Sequence, residues 1–323
     1  MAISYAELSA LLADLGVDPD VNVESNPRFH AILKLADQDP TGLLSSIPKV
    51  ERNAGKALSL LLHLLSENSR KWPVLDLLRC YGTICDGMPE AVKAGREPEV
   101  SQALHVVVDR IHRQYESLAD LIEESDRPAF LSPDGSRLVS LGALKKAVAN
   151  FRLPFEKEKG GRNPVVAIAL PNGPLLATTC FAVAAHFSAA PINPAVGTEQ
   201  FRADVEQVQA RCILTTHEVA EKLRLTEWTA ESNIEVYYVD FKASKELVLT
   251  DSRGETLKGD ELAFQPNGGS DICLVLFTSG TSGTKKIVPL SLHLIVFGAV
   301  LVIDSWGLSA SDICLNMMPL FHV

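Results

Sequence analysis

The chain has 323 residues, which is long enough for two domains of ordinary size. Hydrophobic residues make up 46% and charged residues 22%, a balance typical of a globular protein that buries a sizeable core. The formal net charge of −10, from 30 basic and 40 acidic residues, argues against a nucleic-acid-binding protein, which usually carries a basic face. One local basic site remains compatible with this charge.

The six cysteines, at positions 80, 85, 180, 212, 273 and 314, show neither CxxC spacing nor clustered histidines. This pattern predicts reduced thiols in a cytoplasmic protein, without a disulfide framework or a zinc site. The first residues, MAISYAELSALLADLG, lack the basic start and the long apolar stretch of a secretory signal peptide.

Residues 1–112 are predicted to form an all-helical domain of unknown role. Leucines recur at helical spacing at positions 8, 11, 12 and 15 and again at 58, 61, 62 and 65. The prolines at positions 27, 40, 48, 73, 89 and 98 divide the region into short helices. A further apolar seam runs from Val100 to Ile122 and favours one long helix that crosses the domain boundary. The scattered polar residues indicate a docking or assembly role and no catalytic group.

After about residue 126 strands alternate with helices, which predicts an α/β fold with βαβ layers and a parallel sheet. A strand pair joined by a Pro-Asp-Gly turn is expected in PAFLSPDGSRLVS, and the continuous apolar run VVAIAL indicates a strand buried on both faces. The remaining predicted elements are the helix LGALKKAVANF, a helix opened by Pro174, the strand API, a helix with a Thr198 cap, and the strands RCILTT, VYYVDF and ICLVLF.

The most apolar run of the chain is LIVFGAVLVI, from Leu294 to Ile303. It falls well short of the roughly 20 apolar residues that a membrane-spanning helix needs. We therefore expect a buried helix and no membrane span.

The segment TSGTSGTKK follows the strand Ile272 to Phe277 directly. Glycines let backbone N–H groups converge on phosphate oxygens, hydroxyl side chains add donors, and lysine supplies charge. In parallel sheets ligands bind at the carboxyl ends of the strands, where this segment begins. A solvated linker would have a similar composition, but linkers are seldom placed between two core elements. The segment is not a Walker A loop, because GxxxxGK[ST] is not present.

FTSGTSGTKK resembles the signature loop of the adenylate-forming enzymes, the superfamily of acyl-CoA synthetases, firefly luciferase and peptide-synthetase adenylation domains, whose usual form is close to YTSGTTGxPK. Other segments are similar in the same order. These are AFLSPDGSRLVSLGALKKAVANF, VVAIALPNGPLLATTCFAVAAHFSAAPINPAVGTEQF and LNMMPLFHV. The resemblance implies that residues 113–323 are the N-terminal part of the AMP-binding domain.

The resemblance also implies a set of site residues. The residues expected to bind the phosphates of ATP are Thr278, Ser279, Gly280, Thr281, Ser282, Gly283, Thr284 and Lys286. Lys285 stands where the family usually has proline, which adds charge and loosens the backbone. Phe321 and His322 would border the acyl or adenylate pocket, and no catalytic residue is assigned.

The implied chemistry is the ATP- and Mg²⁺-dependent activation of a carboxylic acid as an acyl-adenylate, followed by transfer to CoA or to the phosphopantetheine of a carrier-protein domain. Family segments that bind adenine and the ribose, and a lysine on a C-terminal domain, come after the PLFH segment. We therefore expect an N-terminal fragment that does not complete the reaction alone. The alternative is a non-catalytic helical interaction module joined to a remnant of the AMP-binding fold.

Overall fold

The computed structural model describes residues 34, 36, 38–46, 54–87, 90–131, 139–155, 162–242, 246–257, 266–278 and 285–321. The chain divides into two compact units. The first comprises Met1–Gln114 and Phe297–Ser311, and the second comprises Tyr115–Val296 and Asp312–Val323.

The described residues of the first unit form helices, as the sequence predicts, and none of them lies in a strand. Its helices up to Gln114 are α1 (Pro40–Ser46), α2 (Ala54–Asn68), α3 (Val74–Gly87), α4 (Glu90–Lys93) and α5 (Glu97–Gln114). The predicted leucine stripe of α2 faces the core, since Leu58, Leu61 and Leu65 are buried. Leu62, also predicted for this stripe, is only partly buried, and the leucines predicted at positions 8, 11, 12 and 15 lie outside the described residues.

The predicted helix across the domain boundary is wrong, because α5 ends at Gln114 and a separate 3₁₀ helix covers Leu118–Leu121. Ser117 lies between them with an extended backbone, at φ −136° and ψ 161°. The carboxylate of Asp120 accepts hydrogen bonds from the Ser117 backbone N–H at 2.8 Å and from its hydroxyl at 2.9 Å. This local pairing stabilises a new helix start at the point where the seam was expected to continue.

The second unit contains a seven-stranded sheet with the strand order β7-β6-β5-β3-β4-β8-β9. Its strands are β3 (Val165–Ala169), β4 (Ser188–Pro191), β5 (Cys212–Thr215), β6 (Glu235–Phe241), β7 (Leu247–Thr250), β8 (Ile272–Thr278) and β9 (Lys286–Ser291). The five central strands of this order, β6, β5, β3, β4 and β8, pair in parallel with one another. The outer strands β7 and β9 pair antiparallel to their neighbours β6 and β8. The predicted parallel α/β architecture is therefore confirmed, with a mixed sheet at both edges.

A second, two-stranded sheet contains β1 (Pro128–Phe130) and β2 (Val139–Ser140), which pair antiparallel as predicted. The helices of this unit are α6 (Leu141–Asn150), α7 (Pro174–Ala184), α8 (Thr198–Gln207), α9 (His217–Lys222) and α10 (Leu225–Ser232). Every residue of β3 is buried, in agreement with the continuous apolar run. The residue that caps α8 is Gly197 and not Thr198, because Gly197 keeps an extended backbone and helical geometry begins one residue later.

The last helix, α11 (Leu292–Trp306), differs from the prediction of a buried helix. Leu292, Val296 and Val300 are buried at every fourth position, whereas Leu294 is 52% exposed and Trp306 is 72% exposed. The helix is largely apolar but packs through a single face. Apolar composition alone does not distinguish such a helix from one that is buried on all sides. None of the helices formed by described residues has the length and apolar content needed to cross a bilayer.

Candidate nucleotide-binding site

The carboxyl ends of the parallel strands β3, β4, β5, β6 and β8 lie along one edge of the sheet. Strand β8 ends at Thr278, and β9 returns antiparallel to it, with Thr278 paired to Lys286 and Phe277 paired to Ile287. Strand β8 therefore ends, and β9 begins, at this same edge. This is the edge at which parallel α/β sheets bind their ligands.

The structure describes only part of the predicted phosphate-binding set. Thr278 is the partly buried last residue of β8, and Lys286 is the exposed first residue of β9. The predicted residues Ser279, Gly280, Thr281, Ser282, Gly283, Thr284 and His322 lie outside the described residues.

The two adjacent lysines have different surroundings. Lys285 Nζ lies 2.6 Å from Oδ2 of Asp204 on α8, and it also lies 5.4 Å from the centroid of the Phe277 ring. Lys286 is exposed and makes no ion pair with any residue that the structure describes. The charge of Lys285 is therefore compensated by a buried carboxylate, whereas that of Lys286 remains available to an anion.

A second pair of segments meets at the carboxyl end of β3. The backbone N–H of Leu320 donates a hydrogen bond to Oδ1 of Asn172 at 3.1 Å, which joins the PLFH segment to the PNGP turn. Gly173 in this turn has φ 151°, a conformation that residues with a Cβ rarely adopt, and Pro174 follows at the first turn of α7. Two segments that are far apart in sequence thus border the predicted binding edge together.

Residues 122–323 match the family described as AMP-binding enzyme. The chain belongs to this family. The resemblance carried by FTSGTSGTKK and its neighbouring segments is therefore confirmed.

Three relatives show how far the similarity to this AMP-binding family extends. The chain is 27% identical over 163 residues to the medium/long-chain-fatty-acid–CoA ligase FadD17 of Mycobacterium marinum, a match that covers 50% of the chain and 29% of the relative. It is 29% identical over 167 residues to the oxalate–CoA ligase of Arabidopsis thaliana, covering 49% and 31%. It is 26% identical over 235 residues to the sulfoacetate–CoA ligase of Cupriavidus necator, covering 72% and 43%. The chain thus spans less than half the length of these relatives.

Among solved structures, apo MatB from Rhodopseudomonas palustris matches at a TM-score of 0.46 and 16% identity, over 66% of this chain and 40% of that one. ATP-bound MatB from the same organism matches at a TM-score of 0.44 and 18% identity, over 64% and 40%.

The described part of this AMP-binding chain does not contain a ready-made metal site, since no group of three or more His, Cys, Asp or Glu side chains is arranged to hold a metal ion. Cys273 lies on β8, the strand that precedes the predicted phosphate-binding segment. Burial raises the pKa of Cys273 on β8 to about 12, which keeps the thiol protonated at neutral pH.

Two features of the binding edge were not found from sequence. One is the pairing of Lys285 with Asp204, whose side chain is 81 positions away. The other is a stacked pair formed by His217, the first residue of α9, and Tyr238 in the middle of β6, with ring centroids 3.8 Å apart. The spacing of residues along the chain does not predict either contact, because both depend on which strands and helices become neighbours.

Proposed function

We propose that this chain carries the ATP-phosphate-binding part of an enzyme that activates a carboxylic acid as an acyl-adenylate and transfers it to a thiol. The observation that carries this proposal is the family match over residues 122–323, together with the position of the hydroxyl- and glycine-rich segment directly after β8. The second unit is proposed to be the N-terminal part of the AMP-binding domain, and residues 1–112 a helical domain that precedes it.

Within this proposal, the segment from Thr278 to Thr284 supplies backbone and hydroxyl donors to the β- and γ-phosphates of ATP, and Lys286 supplies the positive charge. Mg²⁺ is proposed as the cofactor of this chemistry, and it would neutralise negative charge on the phosphates of ATP. His322, which follows Leu320 by two positions in the sequence, is proposed to border the acyl or adenylate pocket.

The reaction proposed for the complete enzyme has two steps. A carboxylate oxygen attacks the α-phosphorus of ATP and releases pyrophosphate, and the thiol of CoA then displaces AMP from the acyl-adenylate. The names of the three relatives support a CoA ligase in general, but they cover a fatty acid, oxalate and sulfoacetate. The acid is therefore proposed only as a class, and carrier-protein phosphopantetheine is kept as the other acceptor.

A second candidate function concerns the helical unit. A groove of about 400 Å³ runs between α2 and α5 and is lined by Leu62, Leu65, Ala103 and Val106, among others. An exposed apolar groove of this kind favours a docking role for the helical unit. Under this alternative the chain would be a non-catalytic interaction module, and the AMP-binding fold would be a remnant.

Isothermal titration calorimetry of MgATP binding to the 323-residue chain separates the acid-activating enzyme from the non-catalytic interaction module. We expect Lys286→Ala to weaken MgATP binding at least tenfold, because it removes the uncompensated cation of the site, a loss of about 1.4 kcal/mol. The matched control is Lys222→Ala, which removes an exposed lysine at the end of α9. Equal affinities for the two variants would refute the assignment of the loop, and no binding by the unaltered chain would favour the interaction module.

A further inference from the structure

Helix α8 holds residue 285 through both its side chain and its backbone. Asp204 Oδ2 accepts from Lys285 Nζ at 2.6 Å, and the carbonyl oxygen of Lys285 accepts from Gln207 Nε2 at 2.8 Å. Asp204 and Gln207 lie three positions apart, on neighbouring turns of one face of the helix. The residue that ends the β8–β9 connection is therefore fixed to a rigid element of the core.

The carboxylate of Asp204 is too buried to replace this ion pair with hydrogen bonds to water. Its side chain is 1% exposed, and its second oxygen accepts from Gln200 Nε2 at 2.8 Å. A buried carboxylate persists only when it is paired and hydrogen-bonded, so Lys285 and Asp204 depend on each other. The 32% exposure of the Lys285 side chain shows that the pair lies at the boundary between core and solvent.

We propose that Asp204 and Gln207 are positioning residues for the phosphate-binding segment, and that Lys285 acts as their tether and does not itself bind the nucleotide. This inference rests on the proposed function and deepens it. In the motif that FTSGTSGTKK resembles, position 285 usually holds proline, which restricts the backbone by its ring. Here two contacts to α8 restrict the same residue from outside, and the neighbouring Lys286 keeps its charge for the anion.

The test measures backbone exchange and nucleotide affinity separately. Hydrogen–deuterium exchange is followed in peptides that span residues 278–286, and MgATP affinity is measured by calorimetry. We expect Asp204→Asn and Lys285→Met each to accelerate exchange at least threefold and to weaken MgATP binding three- to tenfold. The double variant should be no worse than the more affected single variant, because both changes remove one contact.

Two further variants distinguish positioning from a general loss of stability. Lys285→Arg keeps the cation and should restore slow exchange and MgATP affinity to within twofold of the unaltered chain. Gln207→Ala removes an exposed side chain and leaves the buried pair intact, so it remains informative if Asp204→Asn does not fold. It should accelerate exchange of the same peptides about twofold. Glu206→Gln, on the exposed Arg202–Glu206 pair of the same helix, should change neither quantity.

The outcomes separate this inference from the proposed function. Unchanged exchange in Asp204→Asn or in Gln207→Ala would overturn the positioning role. Weaker MgATP binding by Lys285→Met with unchanged exchange would also overturn it, since Lys285 would then act on the nucleotide directly. If the unaltered chain binds no MgATP but exchange still responds as expected, the proposed function fails while the tether to α8 stands.

Discussion

Replacing Lys285 by methionine tests how strongly the second unit depends on one buried ion pair. The change keeps a long unbranched side chain but leaves the Asp204 carboxylate, which is 1% exposed, without its cation. Removing one partner of a buried pair costs about 3–5 kcal/mol, because the remaining charge stays desolvated. The hydrogen bond from Gln200 remains, and the partial exposure of residue 285 lets water approach. We therefore expect a loss near the lower limit, about 3 kcal/mol.

Adding Asp204→Asn to Lys285→Met should recover part of this loss. The amide carries no charge, so the double variant loses only the hydrogen bond between charged groups, which contributes about 1.5–3 kcal/mol. We expect the double variant to be about 1 kcal/mol more stable than Lys285→Met alone. A second substitution that raises the stability of the first variant is expected only when the first one leaves a buried charge without a partner.

The assay is urea unfolding followed by the fluorescence of Trp228, which is buried in the second unit. Trp72 and Trp306 are replaced by phenylalanine in every protein compared, so that the signal reports one unit. The surface control Glu206→Gln should change the free energy of unfolding by less than about 0.5 kcal/mol. A loss below about 1 kcal/mol for Lys285→Met, or a double variant no more stable than Lys285→Met, would refute the reasoning.

Three further predictions test the packing of the fold. Phe201→Ala, at a fully buried position of α8, should lower the free energy of unfolding by about 3–5 kcal/mol in urea titrations, and a loss below about 1 kcal/mol would contradict its place in the core. Ser140→Ala should cost about 1 kcal/mol, because Ser140 Oγ accepts from the Ala143 N–H at 3.1 Å, whereas Ser140→Gly should cost only a few tenths; equal losses would exclude the cap. A thiol reagent at pH 8 should modify the exposed Cys314 and spare Cys80, because burial raises the pKa of the Cys80 thiol from 9.0 to about 12, and equal rates would contradict this. The same shift makes the folded state lose stability as the pH rises above about 9, where the unfolded thiol ionises and the folded one does not.

The parts of the fold that could be predicted are those governed by short-range patterns. The buried strand β3 follows from its unbroken apolar run, and the start of α7 follows from Pro174. The order in which strands and helices alternate was enough to predict a parallel sheet, because parallel strands need crossover connections. The antiparallel outer strands β7 and β9 were missed, since a short edge strand has no distinctive composition.

The candidate site was predicted in its position along the chain but not in its contacts. The donor-rich segment after β8 could be recognised because phosphate binding needs glycines, hydroxyls and lysine close together in sequence. The distinct roles of Lys285 and Lys286 could not be recognised, because both are lysines in one short motif and only the partner Asp204 separates them.

The sequence alone was enough to predict a helical part, an α/β part and the position of the glycine-rich segment, because these follow from spacing and composition over a few residues to a few turns. The AMP-binding family was recognised from the resemblance of short motifs to those of known enzymes. The three-dimensional structure was needed to show that α11 packs through one face, that Leu320 donates a hydrogen bond to Asn172, and that α8 contacts Lys285. Each of these depends on which distant elements become neighbours, and that choice is made by the packing of the whole unit and not by any local preference.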